Sequence, residues 1–204
     1  RAHVMSKTHA YHKAEKPAKA EKDAETAKAA KVSATAAITT APHADGAPGI
    51  DIGIDAKDRA KIADGLSRFL ADSYTLYLKT HNFHWNVTGS MFNALHTMFE
   101  AQYTEQWNAL DDIAERIRAL GELAPQSASA FANLTSIKDG DPEKDAGAML
   151  KELIKDHGVL IATARAALDA ADKVGDEASV DLMTQRLAAH EKAAWMLRSS
   201  LGDR

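Results

Sequence analysis

Two residue pairs in the middle of the chain combine metal-ligand chemistry with helical spacing. His96 and Glu100 stand four residues apart, and so do Asp111 and Glu115. On a helix each pair shares one face, where two side chains can chelate one ion. His84 precedes His96 by twelve residues, across the segment NVTGS, whose Gly89 predicts a reversal that brings the imidazole alongside. A single such pair on a helix is more often surface electrostatics. Two pairs plus His84 on one helical hairpin make a candidate set of two imidazoles and three carboxylates. Such nitrogen and oxygen donors suit Fe, Mn or Zn and do not suit Cu(I). A carboxylate-rich set with spare positions binds Fe(II), stabilises Fe(III) and leaves room for an oxidant.

Helix geometry limits how these residues can act together. Glu100 and Asp111 are eleven residues apart, about 16 Å along a helix axis at 1.5 Å per residue, whereas metal–ligand bonds are about 2 Å. One ion cannot touch both pairs of one straight helix. Either each pair has separate partners, or a second copy of the helix lies antiparallel across a twofold axis near Glu105 and Gln106, and His96/Glu100 of one copy faces Asp111/Glu115 of the other. Bundle proteins that hold two irons inside one subunit use Glu-x-x-His twice. No glutamate here has a histidine three residues later, which favours the shared site.

The elements that must position these residues are helical. Ile62, Leu66, Phe69, Ser73, Tyr77 and Thr80 recur at spacings of three and four, with His84 continuing the row, which predicts a helix over 57–84. After Gly89, with Ser90 as candidate N-cap, a second helix runs to about Leu120 and stops at Gly121. Residues 121–141 read as a crossover with one short helix. Asp141-Pro142-Glu143 predicts the start of a third helix, and Gly175 separates it from a fourth. No stretch alternates with period two. The expectation is an all-α, ferritin-like four-helix bundle over 55–204.

Composition narrows the chemistry. The 204 residues include no cysteine, which excludes disulfides, iron–sulfur ligation and thiol catalysis. No apolar run reaches the length of a membrane span, and no apolar leader stands near the start, so no membrane partner and a cytoplasmic location are expected. Arg1 to Val4 precede Met5, which reads as the native start. The net charge of −4 is uneven: residues 1–40 hold eight basic and four acidic side chains, and the remainder is acidic. Residues 1–54 read as a Lys/Ala-rich tail and Pro/Gly linker that cannot bury enough apolar surface to fold.

The segment HWNVTGSMFNALHTMFE (His84 to Glu100) resembles the first signature of the Dps family, the DNA-binding proteins from starved cells, and LDDIAERIRALGELA (Leu110 to Ala124) resembles the second. The resemblance covers about residues 55–204. It implies a hollow twelve-subunit shell built from twofold dimers, with a short extra helix in the crossover. It also implies oxidation of Fe(II), preferably by hydrogen peroxide, at sites between subunits, with ferric mineral stored inside. Matched motif to motif, His84, His96 and Glu100 come from one subunit, and Asp111 and Glu115 from its mate. Glu100 stands where aspartate is frequent. Glu100 and Glu115 act as primary carboxylates, while Asp111 holds a second iron or a bound water. Trp85 beside the ligands is a candidate electron donor or a packing residue of the dimer contact. Iron is the expected metal, with Zn or Mn as alternatives in the same site.

Other residues carry weaker expectations. His81 is a candidate neighbour of the ligands, and His157 and His190 read as core histidines. Asp145, Glu152 and Asp156 read as a solvated face, with pore lining as the alternative. His43, Asp45, Asp51 and Asp55 form a candidate linker metal site. Lys7, Lys13, Lys16, Lys19, Lys22, Lys28 and Lys31 suit non-specific phosphate contact with double-stranded DNA, and hence nucleoid association. The competing readings are a DNA-compacting protein with a weak or inert metal site and a non-redox bundle holding Zn or Mn.

Overall fold

The computed structural model describes residues 49–202. The chain divides into two units, 1–41 and 42–204; the expected tail and its lysines lie outside the described residues, as do His43 and Asp45. Five helices follow in order: α1 (Ala56–Asn86), α2 (Phe92–Ala119), the short α3 (Ala128–Leu134), α4 (Ala146–Asp172) and α5 (Glu177–Leu201). Among the described residues there is no strand, and no helix is long and apolar enough to cross a membrane. The four-helix bundle with one short crossover helix is therefore present.

Long helices form where the apolar stripe is long, and they end where the backbone must leave the helix. α2 stops in a Schellman arrangement: Gly121 N donates to Arg118 O at 2.9 Å and Glu122 N to Ile117 O at 3.3 Å, with Gly121 at φ +96°. Ile50 of the preceding linker occupies the space a Cβ on Gly121 would need. Two expected start signals lie upstream of the observed caps, by one and by four residues. Ser90 does not cap α2; Gly89 O accepts from Phe92 N, and Met91 takes the cap position without a side-chain bond. Asp141 does not start α4. Its side chain closes a local turn on Glu143 N at 3.0 Å, and Asp145 caps the helix instead, accepting from Ala148 N at 2.8 Å.

The core joins Phe69, Phe83, Phe99, Leu66, Ile113, Ile117, Met149 and Leu153, all essentially inaccessible. Gly65 lets α1 approach α4: a Cβ there would sit 3.3 Å from Ala167. The crossover is pinned by Asp72 of α1, which accepts from Thr135 Oγ1 at 3.0 Å, Ser136 N at 2.6 Å and Thr163 Oγ1 at 2.9 Å. Three donors from two other segments satisfy this buried carboxylate, as burial of a charge requires. Phe131 of α3 stacks on Tyr74, centroids 4.8 Å apart.

Asp145 is exposed, as the solvated reading expected, but Glu152 and Asp156 are drawn into an ion-pair group instead. Lys79 is buried and reaches Asp156 at 2.5 Å and Glu152 at 3.0 Å, and Lys144 also takes Glu152, at 2.6 Å. Burial pushes the Asp156 carboxyl above its ordinary value despite Lys79. Burial pushes Glu152 the same way, but the bonds from Lys144 and Lys79 outweigh it and leave that carboxyl low. Asp156 is thus an interior partner of a lysine; helical periodicity could not reveal this because Lys79 lies on another helix. At the other end Asp176 caps α5 through Ser179 and binds Arg116 of α2 at 2.5 Å.

α1 packs along α2 and α4, and α4 packs along α5, while α2 and α5 are joined by side-chain bonds of Arg116 to Asp176 and Ser179 and of Arg186 to Glu105.

Candidate metal centre

His84 sits near the end of α1 and His96 in the second turn of α2, so the Gly89 reversal sets them face to face. The rings stack with centroids 3.7 Å apart and planes 19° from parallel. His84 Nδ1 lies 2.8 Å from the backbone carbonyl of His96, and His96 Nδ1 lies 2.9 Å from that of His84. A carbonyl only accepts, so each Nδ1 carries a proton and donates. Each Nε2 is then left with a free lone pair. A metal-ligating histidine is commonly held in this way, with its other nitrogen donating to a backbone carbonyl that fixes ring and tautomer. The donor chemistry fits a borderline divalent cation.

At about 100° per residue, His96, Glu100, Trp107, Asp111 and Glu115 all fall on one flank of α2. Glu100, Asp111 and Glu115 are exposed there. Within one chain, among the described residues, no three His, Asp or Glu side chains come close enough to hold a metal ion. The structure therefore brings His84 and His96 together and leaves Asp111 and Glu115 further along the same flank.

The midpoint of that flank differs from the expectation. Gln106 is buried in the bundle, and Glu105 points to the other side of α2, where Arg186 grips both its oxygens at 2.6 and 2.9 Å. The side chain presented at the midpoint is Trp107, which is 55% exposed. Helical rotation decides which residue near residues 105 and 106 faces out along that flank.

An aromatic cluster surrounds the histidine pair. His81 stacks on Tyr103 at 4.0 Å and lies 4.1 Å from Trp85, and Tyr103 meets His84 edge-on at 5.2 Å. Burial, then the charge of His84, lowers the basicity of His81. Its Nδ1 is 3.3 Å from the Tyr77 hydroxyl. Trp85 itself is 61% exposed. Tyr103 was missed from sequence, although its spacing of seven from His96 puts it on the same helix face. In the linker, Asp51 bonds Gly53 N and Asp55 precedes α1 as its cap residue.

A family model described as a ferritin-like domain matches residues 63–204. The chain is 37% identical over 136 residues to a DNA protection during starvation protein of Brevibacillus brevis, covering 67% of this chain and 91% of that one. It is 37% identical over 155 residues to a low temperature-induced protein of a Nostoc species, covering 74% and 86%. A Dps protein of Vibrio cholerae, titled a member of a broad superfamily of ferritin-like diiron-carboxylate proteins, superposes with TM-score 0.71 at 32% identity, covering 74% of this chain and 94% of that one.

Proposed function

The chain belongs to the ferritin-like family and, within it, to the Dps proteins, and from that membership we propose that it oxidises Fe(II) at sites shared by two antiparallel subunits, stores the ferric product in a twelve-subunit shell and protects DNA. Iron is substrate and cargo here. His84 and His96 offer Nε2 lone pairs, Glu100 adds a carboxylate from the same subunit, and Asp111 and Glu115 of the mate complete the set. Hydrogen peroxide is the preferred oxidant. Two ferrous ions each give one electron, the O–O bond breaks, and two protons are taken up to give two waters.

The observation that carries this reading is the reciprocal bonding of His84 and His96, because it prepares two imidazoles for metal before any metal arrives. The shared site is supported by the exposed apolar face on the same side. Tyr74, Leu78, Trp85, Met91, Phe92 and Trp107 are all exposed along α1 and α2, more than an isolated soluble surface usually displays together. Trp85 would be covered by the mate and could donate an electron there.

The test is complementation. A His84→Ala/His96→Ala chain and an Asp111→Ala/Glu115→Ala chain are each inactive alone. If the site is shared, equal amounts refolded together recover about a quarter of wild-type Fe(II) oxidation, since half the dimers are mixed and each holds one intact site. Recovery of none would place the site within a single subunit. DNA protection through the Lys-rich tail is a separate part of the proposal, tested below by deletion.

A further inference from the structure

The readily oxidised aromatic side chains are spread unevenly over the bundle. Among the described residues there are six tyrosines and tryptophans. Five of them, Tyr74, Tyr77, Trp85, Tyr103 and Trp107, lie along the α1/α2 flank that carries His84 and His96. The core between the same helices uses phenylalanine, with Phe69, Phe83 and Phe99 inaccessible. Phenylalanine gives up an electron far less readily than a phenol or an indole. Half-exposed positions favour tyrosine and tryptophan in any case. What packing does not require is that their rings touch in an unbroken row.

The row begins at the histidine clasp. His84 meets Tyr103 edge-on, centroids 5.2 Å apart. Tyr103 meets Tyr77 at 6.2 Å, again edge-on, and Tyr77 meets Trp107 at 5.3 Å. Each step lies within the range of about 4.5–7 Å in which aromatic rings are in contact. Electron tunnelling decays steeply with the gap, so a row of touching rings carries an electron much further than one jump does. The row ends at Trp107, largely exposed at the midpoint of the flank, where an antiparallel mate would bring its own Trp107. Trp85 stands off this row, its ring 4.1 Å from that of His81.

We propose that Tyr103, Tyr77 and Trp107 form an electron relay that joins the two metal sites of a dimer through paired Trp107 rings on the twofold axis. The inference rests on the shared site of the proposed function. Hydrogen peroxide takes two electrons, whereas a ferrous ion gives one. Where a site holds a single iron, the relay supplies the other electron. Fe(II) goes to Fe(III), the O–O bond breaks, and Trp107 loses an electron and its Nε1 proton. That proton and one from solvent complete two waters. A ferrous ion at the second site then returns an electron to Trp107 and goes to Fe(III), while a solvent proton goes back to Nε1. In sum, two Fe(II), one peroxide and two protons give two Fe(III) and two waters. Tyr103 and Tyr77 are refilled at each passage and end unchanged.

The experiment uses the full chain loaded with half an equivalent or one equivalent of Fe(II) per chain. Freeze-quench EPR after one peroxide per dimer should show a tryptophan radical at half loading and lose most of it at full loading, because the second iron refills it. Trp107→Phe keeps an apolar ring at the midpoint, with particle mass verifying assembly, and should lose that radical; Trp85→Phe should keep it. A radical on Trp85 alone, no radical at half loading, or one that persists at full loading would overturn the link between sites. A metal-free measurement tests the relay apart from iron. Azide radicals made by pulse radiolysis oxidise indoles first. Indolyl absorption should then decay as phenoxyl absorption rises, independently of protein concentration, and Trp107→Phe or Tyr77→Phe should remove most of that transfer. Transfer absent from the wild type, or untouched by both variants, would overturn the relay even in a chain that oxidises iron. Transfer intact in a chain that oxidises no Fe(II) would instead sink the proposed function, and the link between sites with it.

Discussion

His84 donates from Nδ1 to the backbone carbonyl of His96, and His96 returns the same bond to His84. The clasp joins two helices and fixes both tautomers with one pair of interactions. Direct ¹⁵N observation should find both rings as Nδ1–H in the metal-free protein. His84→Ala removes a donor from the His96 carbonyl and a ligand from the proposed site. It should lower Fe(II) oxidation at least about 100-fold, by analogy with the loss of metal-site partners, and cost about 1 kcal/mol of stability in denaturant titration. A variant that kept wild-type oxidation would remove His84 from the site.

The buried pair His157 and His190 predicts an acid-side loss of stability. Burial lowers His157 to about 4, and lowers His190 well below its ordinary value. The unfolded chain takes up protons near pH 6.5 and the folded one does not. Stability contributed by the neutral pair is therefore full above about pH 6.5 and falls as the pH drops toward 4, by at most about 1.4 kcal/mol per pH unit for each ring. The groups facing the pair are Arg186 on α5 and Glu105 on α2, paired with each other. Glu152 and Asp176, both held low, add to the loss further down, and Asp156, held high, opposes it. Urea titrations from pH 7.5 to 4.5 measure the slope; a flat profile would contradict the neutral pair.

What the sequence made legible was whatever depends on one helix at a time. Spacing placed α1 within two residues of its observed ends, Gly89, Gly121 and Gly175 marked the breaks, and the His84–His96 approach followed from a hairpin whose turn could be read directly. What escaped depends on partners from elsewhere in the chain. Asp156 looked like a surface acid because its lysine lies on α1. Gln102 gave no signal and Gln106 was expected only beside a twofold axis, yet both lie buried near His157 and His190 in the bundle centre. Asp141 looked like a better helix start than Asp145 because aspartate followed by proline is a strong local signal, but a turn used it first.

Asp72 shows how much one such unread contact holds. Its carboxylate meets donors from the crossover and from α4 and, among the described residues, no cation. Asp72→Ala should cost about 3 kcal/mol, since bonds to a charged group contribute about 1.5–3 kcal/mol each but are not additive. Thr163→Val, which removes one donor, should cost about half as much. Equal losses in thermal unfolding would mean the crossover is held by packing alone.

The tail predicts a salt-sensitive and separable activity. Removing residues 5–40 takes away seven lysines and leaves every proposed iron ligand. Gel retardation of double-stranded DNA should be lost, and retardation by the full chain should fall steeply between 50 and 200 mM salt. Twelve tails on one particle would raise avidity by about 100-fold or more over one. Unchanged retardation after deletion would move the DNA contact onto the bundle.

Trp107 tests the link between assembly and chemistry. It lies at the midpoint of the flank that carries His96, Glu100, Asp111 and Glu115, its ring 5.3 Å from Tyr77 and largely exposed. A mate crossing antiparallel at that point would cover it. Trp107→Glu should leave the subunit folded, because the residue is not in the core, yet it places a charge where two identical surfaces must meet. Two like charges across a twofold axis repel and lose their hydration together. Particle mass should then fall from about 260 kDa, twelve times the 22.0 kDa chain, toward the single chain. Fe(II) oxidation should fall with it although all five proposed ligands remain. If the dispersed chain oxidised iron at the wild-type rate, the ligands would have to converge within one subunit, against the separation of about 16 Å that a straight α2 imposes.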